Sequence, residues 1–134
     1  MSKSSGFTLI ELIIVLAIVA IISAILIPNF INTTDRARLR SDVQSARVLQ
    51  NALELYDVEQ ASPMNRNSIA QIIERLDYKG YIQERRVAVQ TENANFILTS
   101  GRIVLDISGA SADVRALYPM LTEQERRYVV GGTN

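Results

Sequence analysis

The 134-residue sequence contains no cysteine, no histidine and no tryptophan. Without cysteine the chain has neither disulfides nor a thiolate nucleophile. Without histidine it lacks the commonest metal ligand and the commonest general base, which excludes most catalytic triads and most zinc hydrolases. A glycine-rich phosphate-binding loop and an aspartate-rich cation loop are also missing. We therefore expect no cofactor, no metal site and no enzymatic activity.

An excess of one charge is missing as well, since 14 basic residues balance 14 acidic ones. This balance argues against a partner held mainly by bulk charge, and no direct nucleic-acid site is evident. The charges are unevenly distributed, because residues 1–34 contain only Lys3 and Glu11. The N-terminal end is therefore expected to lie in lipid and the rest of the chain in water.

A long hydrophobic run is present from Phe7 to Ile27, with apolar residues on every side of the predicted helix. Its 21 residues would span about 31 Å, close to the hydrocarbon thickness of a bilayer. Two interpretations compete, a transmembrane helix and the apolar region of a cleaved secretory signal. No good small-residue cleavage site follows the run, which favours a transmembrane helix that is retained.

Glu11 is the only charged residue inside this run. A carboxylate costs about 2.5–3.5 kcal/mol at the centre of a membrane helix and less near the interface. It is therefore either tolerated near the lipid headgroups or paired with a positive group. No lysine or arginine lies between Lys3 and Arg36, so the nearby candidate is an α-amine freed by a cut before Phe7.

The segment GFTLIE at residues 6–11, with a short basic leader before it and a long apolar run and Pro28 after it, resembles the signal of type IV prepilins and pseudopilins. The resemblance implies that residues 1–6 are a leader, which a prepilin peptidase removes by cutting between Gly6 and Phe7. It also implies that the new amine of Phe7 is N-methylated. Glu11 would then neutralise that amine on a neighbouring subunit during assembly.

Beyond the apolar run, Pro28 is expected to kink the helix because it lacks an amide donor and clashes with the preceding turn. Helical periodicity then resumes, and one face carries an apolar stripe. The stripe consists of Leu39, Val43, Ala46, Leu49, Leu53 and Tyr56. A helix from Phe7 to about Tyr56 is too long for one small domain to bury. Its first half must therefore be covered by lipid or by other subunits.

The remaining chain predicts a small head of short elements. Ser68 and Gln71 form a capping-box pattern before a helix that ends at Gly80. The segment from Arg85 to Gln90 is a possible strand, and Ser100-Gly101 predicts a tight turn between strands Asn95–Thr99 and Arg102–Ser108. Further elements are a short helix over Ala110–Tyr118 interrupted by Pro119, a turn capped by Thr122 and Glu125, and flexible chain or a last strand from Val129 to Gly132.

These elements predict an α+β fold in which a long N-terminal helix, hydrophobic and then amphipathic, packs on a small antiparallel sheet, as in pilins. We expect residues 1–6 to form the cleaved leader and residues 7–34 the hydrophobic transmembrane and assembly helix. Residues 35–134 are expected to form a globular head built on the second half of the helix.

Combined with the resemblance, this organisation predicts a structural subunit that polymerises with identical or related pilin subunits. The other expected partners are the prepilin peptidase and methyltransferase, membrane lipid before assembly, and an inner-membrane assembly platform with a separate ATPase. The subunit would cross the inner membrane once with its head outside the cytoplasm, and then enter an extracellular or periplasmic filament. The alternatives are a pseudopilin of a type II secretion or DNA-uptake system and a single-pass membrane-anchored binding module.

Overall fold

The computed structural model describes residues 5–83 and 87–132, and the side chains of all of these except residues 28–31. The elements are helix α1 (Leu9–Glu59), helix α2 (Ile69–Tyr78), strands β1 (Asn95–Thr99) and β2 (Arg102–Asp106), helix α3 (Ala112–Arg115), a 3-10 turn (Tyr118–Met120), helix α4 (Glu123–Arg126) and strand β3 (Val129–Val130). The predicted α+β class, a long N-terminal helix with a small sheet, is confirmed. Internal contacts divide the chain into two compact units, Met1–Thr34 and Asp35–Asn134.

The second unit is built around the predicted stripe on α1. All six residues of the stripe are buried, and four of them are fully so: Leu39, Ala46, Leu49 and Leu53. They share one apolar core with residues of α2 and β2, among them Ile72 and Leu105. Full burial stabilises the fold by about 1.5–3 kcal/mol for each large aliphatic side chain. The amphipathic half of α1 is therefore the centre of this unit's core.

Helix α2 begins after Ser68 as predicted, but the Ser68 side chain makes no capping hydrogen bond. The end of the helix follows the prediction closely. The amide of Gly80 donates to the carbonyl of Asp77, and the amide of Tyr81 donates to that of Leu76. This pair of bonds is a Schellman motif, which requires a left-handed residue, and Gly80 has a φ of +81°.

The sheet contains the predicted hairpin, but the expectation of a wholly antiparallel sheet is wrong, because a third strand pairs with β2 in the same direction. Asn95 of β1 lies opposite Asp106 of β2, and Ser100 and Gly101 turn the chain with φ values of 51° and 76°. Two left-handed residues in succession form the turn type that suits the twist of a two-residue hairpin. Strand β3 pairs with β2 in parallel, so the three-stranded sheet is mixed. A parallel partner needs a long crossover, which the short helical segments between β2 and β3 provide.

The predicted strand from Arg85 to Gln90 is not formed in the part that the structure describes. Residues 85 and 86 lie outside the described residues, and residues 87–90 have no regular structure. The cause lies on α1, where the fully buried Asp42 accepts the amide of Gln90 at 2.9 Å and that of Thr91 at 2.7 Å. The backbone amides of these two residues thus donate to a side-chain carboxylate, where in a sheet they would donate to the carbonyl groups of a neighbouring strand.

A second polar side chain of α1 continues the hydrogen bonding along the edge of β2 that pairs with β3. The amides of Leu105 and Ile107 donate to main-chain carbonyls of the β3 segment at 2.7 and 3.0 Å. The amide of Ile103 lies level with the chain before β3 begins, and it donates to Oε1 of the buried Gln50 at 2.9 Å. Gln50 therefore extends the hydrogen bonding of a strand that is only two residues long.

The C-terminal part differs from the prediction mainly in element length. The helix expected over 110–118 is confined to α3, and Pro119 lies inside the 3-10 turn rather than between two elements. The predicted capped turn is confirmed, because Thr122 and Glu125 form both bonds of a capping box at the start of α4. The segment after Tyr128 is the short strand β3.

Candidate processing and assembly site

The start of α1 is fixed by hydrogen bonds between Thr8 and Glu11. The Thr8 amide and hydroxyl both donate to Oε2 of Glu11, at 2.8 and 3.1 Å. In return, the Glu11 amide donates to the Thr8 hydroxyl at 3.3 Å. This reciprocal arrangement is a capping box, which satisfies amides that have no partner within the helix. Glu11 therefore has a local role in starting the helix as well as the predicted role in assembly.

Sequence reasoning missed this capping box, although the signal was present. A threonine followed three residues later by glutamate, just before an apolar run, is the usual capping-box pattern. Only Oε2 of Glu11 takes part in these bonds, and Oε1 has no hydrogen-bond partner among the described residues. The carboxylate can therefore begin the helix and still accept a bond from another donor.

The two residues at the predicted cleavage point precede the helix and are exposed. Phe7 is 87% exposed, so its ring makes little contact with the described chain. A Cβ atom added to Gly6 would meet nothing within 4 Å, and the φ of Gly6 is not left-handed. Gly80, Gly101 and Gly131 differ, because each has a positive φ. The described part of the fold thus gives no reason of its own for glycine at position 6.

The apolar segment that follows is covered by nothing in the described part of the chain. Its large apolar side chains from Leu9 to Ile27 are 50% exposed or more. By length and composition, α1 is long and apolar enough to cross a membrane. Helix α1 continues through Pro28, and because the side chains of residues 28–31 lie outside the described part, the predicted kink remains a prediction.

Comparison with known families agrees with this reading of the N-terminus. A family model described as the prokaryotic N-terminal methylation motif matches residues 1–27. This range contains the predicted cleavage point, the capping box and the whole apolar segment. The resemblance inferred from residues 6–11 is therefore confirmed.

Relatives of this chain include proteins of filaments and of secretion systems. A prepilin peptidase-dependent protein A from Clostridium perfringens is 42% identical over 60 residues, which cover 45% of this chain and 43% of the relative. A type II secretion system core protein G from Aeromonas hydrophila is 32% identical over 57 residues, covering 42% and 40%. A fimbrial protein from Neisseria meningitidis is 31% identical over 105 residues, covering 78% and 61%.

The matched stretches span between 40% and 61% of the length of these three relatives. No solved structure matches the chain significantly. The likeness to the first two relatives covers less than half of this chain, whereas the match to the fimbrial protein is long enough that it must include part of residues 35–134. The chain carries the prokaryotic N-terminal methylation motif, and its homologues are pilins, prepilin peptidase-dependent proteins and core proteins of type II secretion.

Proposed function

We propose that this protein is a structural subunit of a type IV pilus-like filament that polymerises through the apolar half of α1. The observation that carries the proposal is the exposure of that half on all sides, with every large apolar side chain from Leu9 to Ile27 at least half exposed. Covering such side chains is worth about 1.5–3 kcal/mol for each large residue. Lipid would cover them before assembly, and the same helices of neighbouring subunits would cover them afterwards.

We propose cleavage between Gly6 and Phe7 by a prepilin peptidase, which would free the amine of Phe7 for methylation. Both residues are exposed and precede the helix, so an enzyme can reach the bond without unfolding α1. Glycine at position 6 suits close approach of a protease to the backbone. Because the described fold has no need of glycine there, a requirement imposed by the peptidase is the simplest explanation.

Glu11 would receive the Phe7 amine of a neighbouring subunit and thereby fix the relative position of the two helices. Its Oε2 is engaged by Thr8, while Oε1 has no hydrogen-bond partner in the described chain. A carboxylate and an ammonium attract strongly when both are removed from water, and either one alone is costly there. Misaligned subunits would leave both charges unpaired, so the pair would penalise every other alignment.

This role assigns a separate function to each of three segments of the chain. Residues 1–6 would be the leader, residues 7–34 the assembly helix, and residues 35–134 the head, held outside the cytoplasm while the helix crosses the inner membrane. Extraction from the membrane would require an assembly platform and a separate ATPase. The head would end in an extracellular or periplasmic filament, and no step of this scheme requires the subunit to be an enzyme.

A pseudopilin of a secretion or DNA-uptake system is the second candidate. The core protein G of type II secretion from Aeromonas hydrophila, 32% identical over 57 residues, supports it. Both candidates share processing and polymerisation and differ in the machine that the filament serves. A single-pass anchored binding module would share neither, so the tests below separate it from both.

Processing is tested by mass spectrometry of the protein purified from cells with an active prepilin peptidase. We expect the chain to begin at Phe7 and to carry one extra methyl group. A Gly6→Val variant should keep its leader, while Ser62→Val, at an exposed position of the head, should be processed normally. An intact Met1 in the unaltered protein would contradict the proposal.

The role of Glu11 in assembly is tested by comparing Glu11→Ala with Glu11→Gln. Alanine removes both the capping acceptor and the charge, whereas glutamine keeps an oxygen that can accept from Thr8 and removes only the charge. Both variants should be cleaved and inserted, and both should lower the filament yield by at least about tenfold. Normal yield from the glutamine variant with loss in the alanine variant would limit Glu11 to starting the helix.

A further inference from the structure

The head carries a cleft whose walls are rich in arginine and which has no role in the assembly scheme above. It has a volume of about 410 Å³. Two of its arginines, Arg40 and Arg47, lie on α1. Arg102 is the first residue of β2, and Arg127 directly follows α4. The whole chain has no net charge, so four cations around one cleft are a local concentration rather than a reflection of composition.

Glu125 is the one carboxylate among the residues that line this cleft. Its Oε2 accepts the amide of Thr122 at 2.8 Å, and this hydrogen bond lowers the pKa of Glu125, so the group is ionised at neutral pH. Its Oε1 lies 3.8 Å from Nε of Arg40. Glu125 therefore offsets about one of the four positive charges, and it does so beside Arg40.

The other three arginines keep most of their capacity to bind an anion. Arg127 lies 3.9 Å from Glu123, but that carboxylate is 91% exposed, and such surface pairs contribute little. Arg102 stacks on the ring of Tyr128 at 5.6 Å, which orients the guanidinium without neutralising it. Within the described residues, Arg47 forms no salt bridge.

The remaining lining residues indicate the chemistry of the ligand. Gln44, Gln124, Thr122 and Tyr128 can all donate hydrogen bonds, and Val43 is the apolar exception. A wall of donors with an excess of guanidinium groups suits an anion with many acceptor oxygens, and a phosphate group offers the most acceptors and charge in a small volume. The guanidinium of Arg102 occupies a face of the Tyr128 ring, which leaves less of it for stacking a nucleobase.

We propose that this cleft of the head binds a phosphate group, held by Arg47, Arg102 and Arg127, with Arg40 and Glu125 as its charged rim. The phosphate could come from two sources with the same chemistry, a free phosphate ion or the headgroup of an anionic phospholipid. The proposal rests on the cleft alone and does not depend on the assembly function.

The test uses full-length protein in a neutral detergent, titrated at constant ionic strength with inorganic phosphate and separately with glycerophosphoglycerol, the soluble headgroup of a phospholipid. Binding is followed by calorimetry and by the rise in thermal unfolding temperature that a ligand of the folded state produces. The variants are Arg47→Gln and Arg127→Gln. Arg38→Gln is the matched control, because Arg38 is an exposed arginine of α1 that does not line the cleft.

We expect each cleft variant to weaken phosphate binding by about tenfold or more, as the loss of a charge-assisted hydrogen bond requires, and the control to change it less than about twofold. Tighter binding of inorganic phosphate would identify a free ion as the source, and tighter binding of the diester would identify the lipid headgroup. Equal loss in all three variants, or binding of both probes no stronger than that of chloride, would overturn the proposal. Using two cleft variants keeps the test valid if one of them fails to fold.

Discussion

Two stretches of the same helix treat their apolar side chains in opposite ways. Between Leu9 and Ile27 the large apolar residues are all exposed, whereas between Leu39 and Tyr56 the predicted stripe is fully or almost fully buried. Both stretches are helical, but the first is apolar on every face. The second places its apolar residues on one face and its charged residues elsewhere.

A chain of this size can bury one apolar face of a helix, but it cannot bury a helix that is apolar on every face. The head supplies one sheet and several short helices, which cover a single face of α1. A segment that is apolar all round needs a surrounding medium, which only lipid or other copies can provide.

The largest effect is expected when the first stretch is removed altogether. A chain of residues 35–134 should be a soluble monomer that unfolds cooperatively, because the core of this unit uses residues 39–129. The full-length protein should require lipid, detergent or assembly. Size-exclusion chromatography with light scattering and thermal unfolding by circular dichroism would measure both properties. Polymerisation of the shortened chain would show that the first stretch is not the assembly element.

A smaller effect is expected from shortening one leucine in each stretch. Leu49→Ala should lower the free energy of unfolding by about 2–5 kcal/mol, since Leu49 is fully buried. Leu16→Ala, at a residue that is 61% exposed, should leave the unfolding of the head unchanged. All five tyrosines lie in residues 35–134, so near-ultraviolet circular dichroism of full-length protein in detergent reports on the head.

Leu55→Ala provides the control within the second stretch, because Leu55 lies on the same helix and is 50% exposed. Its cost should be below about 1 kcal/mol. Equal costs for the variants at positions 49 and 55 would contradict the claim that spacing decides which side chains the chain buries.

Among the buried positions, the smaller effect is expected from the polar residues of the buried face. Asp42→Ala leaves the amides of Gln90 and Thr91 without their acceptor and should cost about 2–3 kcal/mol. Asp35→Ala is the matched control, because Asp35 is partly exposed and lies 4.0 Å from Arg38. The control should cost less than about 1 kcal/mol. Chemical denaturation followed by the tyrosine signal would measure both, and similar costs would remove the anchoring role of Asp42.

The sequence was sufficient for features that depend on neighbours along the chain. The stripe from Leu39 to Tyr56, the left-handed Gly80 and the Ser100-Gly101 turn were all predicted, because helical spacing and turn geometry are local properties. The Thr8–Glu11 capping box is equally local and was overlooked, because the interpretation of Glu11 considered only the cost and the pairing of its charge.

The features that could not be predicted depend on residues far apart in the sequence. The amides of Gln90, in the predicted strand, and of the next residue Thr91 both bind Asp42, which lies about fifty positions earlier. Strand β3 runs parallel to β2 because the intervening helices return the chain to the same side, which no short pattern encodes. The phosphate cleft likewise combines four arginines from three separate segments, and only the folded chain brings them together.

Asp42 and Gln50 have a consequence for how freely this head can change. Asp42 holds the chain before β1 and Gln50 holds β2, so the placement of these segments against the helix does not rest on the apolar side chains alone. Leucine, isoleucine and valine could be interchanged in that core, at constant total volume, without the two layers sliding past each other. The head can therefore acquire a varied interior while its two polar anchors stay fixed.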